Sequence, residues 1–221
     1  MDTAAGVKAQ RNTKTKGVLV VEDQDLIAQM FETMIASSGA YHLCGRVRNA
    51  DLAPVWCLKG GIDLILMDVY TELGASGLEA AAMIKEEFPR IKIIVVTSMP
   101  EVSFLRRARE AGVESFWYKE GARASILDVM NRTMAGESVY PDRTPRIRFG
   151  EIFSDDLTER ELDVLREIVR GSTNAEIAES LCLSAATVKS YVNEIMSKTG
   201  FRTRTGLAVK ARELGIVIAE G

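Results

Sequence analysis

Residues 63–77 read DLILMDVYTELGASG. The apolar run Leu64 to Met67 suits a strand buried on both faces, yet it stops on a carboxylate, Asp68, and passes into a loop of small residues. A charge ends a buried strand at little cost when that end sits at the solvated rim of a sheet, where other charges can offset it. The same grammar extends on both sides. From about 17 to 135, GVLVV precedes a helical pattern over 24–38, HLCGRV one over 51–59, LILM one over 78–88, IKIIVV one over 102–111 and SFWY one over 122–135. Parallel strands need helical crossovers and are covered on both faces, so this alternation predicts an α/β unit with a five-stranded, doubly wound parallel sheet.

The chain has 221 residues, 47% of them hydrophobic, and a net charge of −3, so no global basic field announces nucleic acid. Cys44, Cys57 and Cys182 have no metal-binding spacing and read as buried thiols in a reducing compartment. The first 16 residues carry four cations but no apolar core of a leader and read as a flexible extension; no apolar run approaches the roughly 18 residues of a membrane span. The expectation is a cytoplasmic protein with no membrane partner. Residues 136–156, GESVYPDRTPRIRFGEIFSDD, contain two prolines and no sustained period and read as a linker. From 157 to 221 strand-like alternation is absent and four short helices are expected.

In a doubly wound sheet the ligand crevice lies outside the carboxyl ends of the strands. The first strand presents Glu22 and Asp23 there, the third Asp68, the fourth Thr97 and Ser98, the fifth Lys119. Asp25 fits better at the start of the first helix. Single acids after strands are common, because Asp opens turns and caps helices. Four strand ends carrying complementary groups fit a Mg²⁺ and phosphoryl site instead: hard oxygens bind Mg²⁺, a carboxylate can accept a phosphoryl group, and a lysine and a hydroxyl meet the transferred oxygens.

Residues 17–135 resemble the receiver domain of bacterial two-component response regulators, with a flavodoxin-like or CheY-like fold. VLVVED carries the acidic pair, LILMD the phospho-acceptor, IIVVTS the switch hydroxyl, and FWYK the aromatic and the lysine. The resemblance implies phosphotransfer from a histidine kinase to Asp68, with Glu22, Asp23, Asp68 and the Tyr70 backbone carbonyl around Mg²⁺. It also implies that Thr97, Phe116 and Lys119 sense the phosphoryl group. The loop departs from the pattern. Val69-Tyr70-Thr71-Glu72 lacks the usual Met-Pro, and Gly77 stands nine residues after Asp68 where eight is usual, so a glycine-rich, more mobile loop is expected.

The second half divides at Gly171, Ser184 and Gly200. Thr158 and Glu161 form a capping box, Gly171 suits the end of that helix, and Asn174 and Ser184 suit the starts of the next two. Two short helices joined by CLS have helix-turn-helix proportions. From Glu151 onward nine Lys and Arg face twelve Asp and Glu, but between Ala185 and Arg212 six cations face one acid. The basic charge therefore falls on the second helix of the turn and just beyond. On that helix Val188, Val192 and Ile195 face inward, while Lys189 and Asn193, with Ser190 beside them, point away. Lys and Asn can read guanine and adenine edges in the major groove.

This segment closely resembles the DNA-binding domain of the LuxR/NarL family through LTERELDVL, NAEIAESL and LSAATVKSYVNEIMSKTGFRTRTGLAV. The resemblance implies that Thr187, Lys189, Ser190 and Asn193 lie at double-stranded promoter DNA and that the last helix, about 204–214, supports a homodimer. Lys198 is expected at DNA phosphate, and RNA polymerase is a further expected partner. The whole reads as a DNA-binding response regulator, not an enzyme: a receiver (17–135), a linker (136–156) and a LuxR-type helix-turn-helix domain (157–221), with the unphosphorylated receiver covering or misorienting the DNA-binding half. Two rivals remain. An aspartyl phosphatase would want D-x-D, and Tyr70 holds the third position. A phosphorylation-independent transcription factor would keep the receiver only as a dimerisation or ligand module.

Overall fold

The computed structural model describes residues 15–101, 103–119 and 125–217. All but Thr15 and Lys16 of the expected N-terminal extension lies outside them. Five apolar runs form strands β1 (Lys16–Val21), β2 (Tyr41–Val47), β3 (Leu64–Asp68), β4 (Lys92–Thr97) and β5 (Ser115–Tyr118). They pair in parallel in the order β2-β1-β3-β4-β5. Between them run α1 (Asp25–Ser37), α2 (Ala53–Cys57), α3 (Gly77–Glu87) and α4 (Ser103–Glu110), and α5 (Ile126–Met134) follows β5.

The strands alternate their side chains between two cores. Val18, Val20, Leu64, Leu66, Ile94 and Val96 meet Ala28, Phe31 and Ile35 of α1 and Val129 and Met130 of α5. Leu19, Val21, Ile65, Met67, Ile93 and Val95 meet α2, α3 and α4 on the opposite face. Because both faces are covered, the central strands β1, β3 and β4 read as nearly unbroken apolar runs instead of alternating ones, whereas the edge strand β2 carries His42 and Arg46 and is partly exposed. The strand order reverses between β1 and β3, which places the crevice where Glu22, Asp23 and Asp68 end their strands.

The C-terminal half holds α6 (Glu159–Arg170), α7 (Asn174–Ser180), α8 (Ala185–Thr199) and α9 (Arg204–Glu213) around Leu162, Leu165, Ile177, Val188, Ile195 and Leu207. The Thr158/Glu161 box opens α6, and Gly171 closes it with a φ of 93°. Helix α7 is capped by Thr173, not Asn174. The T-x-x-E spacing explains the shift, since Thr173 and Glu176 satisfy each other's backbone N–H, and Asn174 instead accepts a hydrogen bond from Arg204.

The stretch read as a linker carries structure at both ends. Val139 O accepts from Phe116 N–H, and Tyr140 packs on the receiver-side core. Arg148–Phe149 (β6) and Ile152–Phe153 (β7) form a tight hairpin, with Phe149 fully buried against Phe201 in the C-terminal core. Gly150 permits it, because its φ is 65° and a Cβ there would lie 1.9 Å from Thr199 O. The prolines and charges hid two apolar anchors too short to show a period. The cysteines also diverge from the reading as buried thiols: Cys57 is buried, with its thiol pushed up to about 11 by burial, but Cys44 is half-buried and Cys182 is exposed in the α7–α8 turn.

Candidate functional site

The carboxyl edge of the sheet gathers the strand-end residues. Lys119 Nζ donates to Glu22 Oε2 at 2.6 Å and to Asp68 Oδ2 at 2.7 Å, joining the ends of β1, β3 and β5. One carboxylate oxygen from each of Glu22, Asp23 and Asp68 lies within 4.8 Å of the others. Glu22 and Asp68 are buried, and Asp23 sits at the rim. Asp68 Oδ1 also accepts from Val69 N–H at 2.7 Å. Burial, first, and the neighbouring Glu22 carboxylate push the Asp68 carboxyl up, against the pull of Lys119. Burial opposes the charge on Lys119, but the two carboxylates outweigh it and hold the ammonium above its usual range. Two acids sharing one lysine leave an excess of negative charge in a low-dielectric rim, which a divalent cation with oxygen ligands would offset. The donor set is all oxygen and fits Mg²⁺ better than a softer metal.

Thr97 ends β4 buried, and its Oγ1 accepts from Met99 N–H at 3.1 Å. Phe116 is buried, its ring 5.0 Å from Tyr118 and 6.2 Å from Tyr140. The loop after Asp68 is tied down more than its glycines suggested. Tyr70 bridges to Ser76, Thr71 Oγ1 accepts from Ala50 N–H at 2.8 Å, Asn49 Nδ2 donates to Glu72 O at 3.0 Å, and the exposed tip is confined to residues 72–74. Gly77 is glycine because a Cβ there would lie 1.9 Å from Asp68 O. The base of the loop is thus sewn to the residues that follow β2.

In the C-terminal half, Thr187, Lys189, Ser190 and Asn193 are all exposed on α8, opposite buried Val188, Val192 and Ile195. The receiver does not cover this face. Lys198, expected at DNA phosphate, donates its ammonium to the buried Glu161 carboxylate at 2.7 Å and so pins α8 to α6. Arg204 is likewise turned inward, donating to Asn174 Oδ1 at 2.9 Å and Ser172 O at 2.6 Å. Two of the six clustered cations therefore serve packing.

The halves meet through the loop after Thr97. Glu101, only 1% exposed, accepts from Arg166 of α6 at 2.7 and 3.0 Å, and Arg106 of α4 lies 3.6 Å from Glu159. Sequence reasoning missed Glu101, Arg166, Arg46, Arg48 and Tyr140. A weak signal existed for two of them, since Arg46 and Arg48 share one face at the end of β2 by period two.

Residues 18–131 match the family described as response regulator receiver domain, and residues 155–211 match bacterial regulatory proteins, luxR family. The chain is 31% identical over 206 residues to response regulator protein VraR of Staphylococcus aureus, covering 90% of this chain and 98% of that one. In fold it is similar to RcsB from Salmonella enterica serovar Typhimurium bound to promoter rprA with phosphomimetic BeF3−, at TM-score 0.57 and 19% identity over 92% of this chain and all of that one. It is also similar to a LuxR-family two-component response regulator from Aurantimonas, at TM-score 0.53 and 21% identity over 57% of this chain and 89% of that one. The chain belongs to the LuxR-family response regulators, DNA-binding transcription regulators built on a receiver domain, and it is not an enzyme. No helix among the described residues is long and apolar enough to cross a membrane.

Proposed function

We propose that this regulator works as a phosphorylation switch in the cytoplasm: a partner histidine kinase phosphorylates Asp68, and the receiver (17–135) thereby controls dimerisation and promoter binding by the C-terminal half (157–221). The observation that carries the reading is Lys119 Nζ held between Glu22 and Asp68 beside Asp23 at the strand-order reversal. Glu22, Asp23, Asp68 and the Tyr70 carbonyl would hold Mg²⁺, which when bound supplies positive charge against the phosphoryl oxygens. Asp68 offers the nucleophilic oxygen, Lys119 neutralises the transferred group, and Thr97 and Phe116 respond to its presence. Thr187, Lys189, Ser190 and Asn193 contact double-stranded DNA, with RNA polymerase a further partner at the promoter.

The test is acyl-phosphate labelling of wild type and Asp68→Asn, followed by DNA binding with beryllofluoride and Mg²⁺. Wild type is expected to label and to bind DNA as a dimer, and Asp68→Asn to do neither. A wild type that binds its promoter equally with and without beryllofluoride would favour the phosphorylation-independent reading.

A further inference from the structure

Arginines are not expected beside a site that gathers cations, yet two stand at its rim. Arg46 Nε donates to Glu22 O at 3.1 Å, and its Nη2 donates to Asp23 O at 3.3 Å and lies 2.9 Å from Asp25 Oδ1. Arg48 bonds Asp25 through Nη1 and Glu72 through Nε. The first guanidinium therefore holds the backbone of both metal-site acids of the β1–α1 loop. The second ties that loop to the one that follows Asp68. Glu72 N–H also donates to Arg48 O at 3.0 Å.

Resting on the phosphoryl-site reading above, we infer that Arg46 and Arg48 are positioning residues for the divalent cation, holding the two ligand-bearing loops in register. This accounts for a loop with an added residue and no proline that nonetheless has a fixed base. A planar guanidinium suits the task, because its donors reach two acceptors at a set angle where a lysine is a single point charge. The pairs are solvent-exposed, Asp25 being 78% exposed, so each contributes little to overall stability. Their effect falls on loop geometry.

The sign of the effect separates this role from plain electrostatics. Removing a positive charge beside a cation site tightens cation binding if nothing else changes. Positioning predicts the reverse. Free Mn²⁺ measured by electron paramagnetic resonance, with Mg²⁺ competition, gives the affinity of the full chain for Arg46→Met, Arg48→Met and Arg48→Lys. Each variant is expected to weaken Mn²⁺ binding, by about tenfold for Arg48→Met, the low end for groups that orient metal ligands. Arg48→Lys keeps the charge and is expected to recover less than half of that loss. Far-UV circular dichroism and the urea midpoint are expected to be unchanged. Equal or tighter binding by Arg48→Met and Arg48→Lys overturns the inference while leaving the phosphoryl site intact. A wild type that binds no Mn²⁺ overturns both.

Discussion

Two lysines in this molecule hold buried carboxylates at the same 2.7 Å, Lys119 with Asp68 and Lys198 with Glu161, and they do opposite work. Glu161 takes the hydrogen bond of Lys198, with the exposed Glu194 farther off at 3.8 Å, accepts from Thr158 N–H at 2.8 Å and Thr158 Oγ1 at 3.0 Å, and its carboxyl is held below the usual range. Burial works against that shift, but Lys198 and Thr158 together overcome it. Asp68 shares its cation with Glu22 and has one backbone donor, and its carboxyl is held above the usual range. An acid whose donors outnumber its rivals is a structural tie. An acid that burial and a neighbouring carboxylate together push up, as at Asp68, has fewer donors than its surroundings demand.

The largest expected effect falls on the crowded acid. Asp68→Asn should remove all acyl-phosphate labelling yet leave the urea midpoint equal or higher, because Lys119 and Glu22 then pair one to one. A fall of that midpoint comparable with the Glu161 variant's would erase the contrast. Glu161→Gln should cost about 2–3 kcal/mol in urea unfolding, since it strips a charged partner from Lys198 and weakens the cap of α6.

On α8 itself the contrast can be sharpened between two lysines. Lys189→Ala and Asn193→Ala should each cost about 1–3 kcal/mol at a specific site and little on random DNA. Lys198→Ala should lower stability and leave the salt dependence of DNA binding nearly as in wild type; a slope reduced by about 1 would return Lys198 to the phosphate contacts. The smallest effect concerns pH. Because Glu161 is shifted down from 4.5, its stabilisation is complete above 4.5 and is lost as pH falls through the lower folded value. Acid unfolding followed by circular dichroism should therefore be shallower in Glu161→Gln, and an unaltered profile would show that Glu161 carries none of it.

The sheet was legible because its central strands β1, β3 and β4 are nearly uninterrupted apolar runs, and the site because four strand ends carry complementary groups. Thr158, Gly171 and Ser184 were legible as caps because capping is local. What escaped depends on pairs distant along the chain. Arg48 meets Asp25 and Glu72 only after β2 joins the sheet edge, and Lys198 meets Glu161 only after α8 packs on α6. A count of cations in a window shows that basic charge is local but not which members already have partners, as Lys198 does in Glu161. Tyr140 and Phe149 were lost among prolines for a related reason, as two single anchors make no period.

The contact between Glu101 and Arg166 bears on how freely the two halves can be exchanged. Only three residues separate Thr97 from Glu101, so the hydroxyl at the carboxyl edge of the sheet and the carboxylate that holds α6 belong to one short piece of backbone. A chimera that replaces the C-terminal half with another helix-turn-helix keeps every group around Asp68 but strips Glu101, 1% exposed in the intact chain, of Arg166's guanidinium. Glu101 keeps the hydrogen bond from Ser103 Oγ at 2.6 Å, and an arginine at the position of Arg166 in the incoming domain would restore the cross-domain pair.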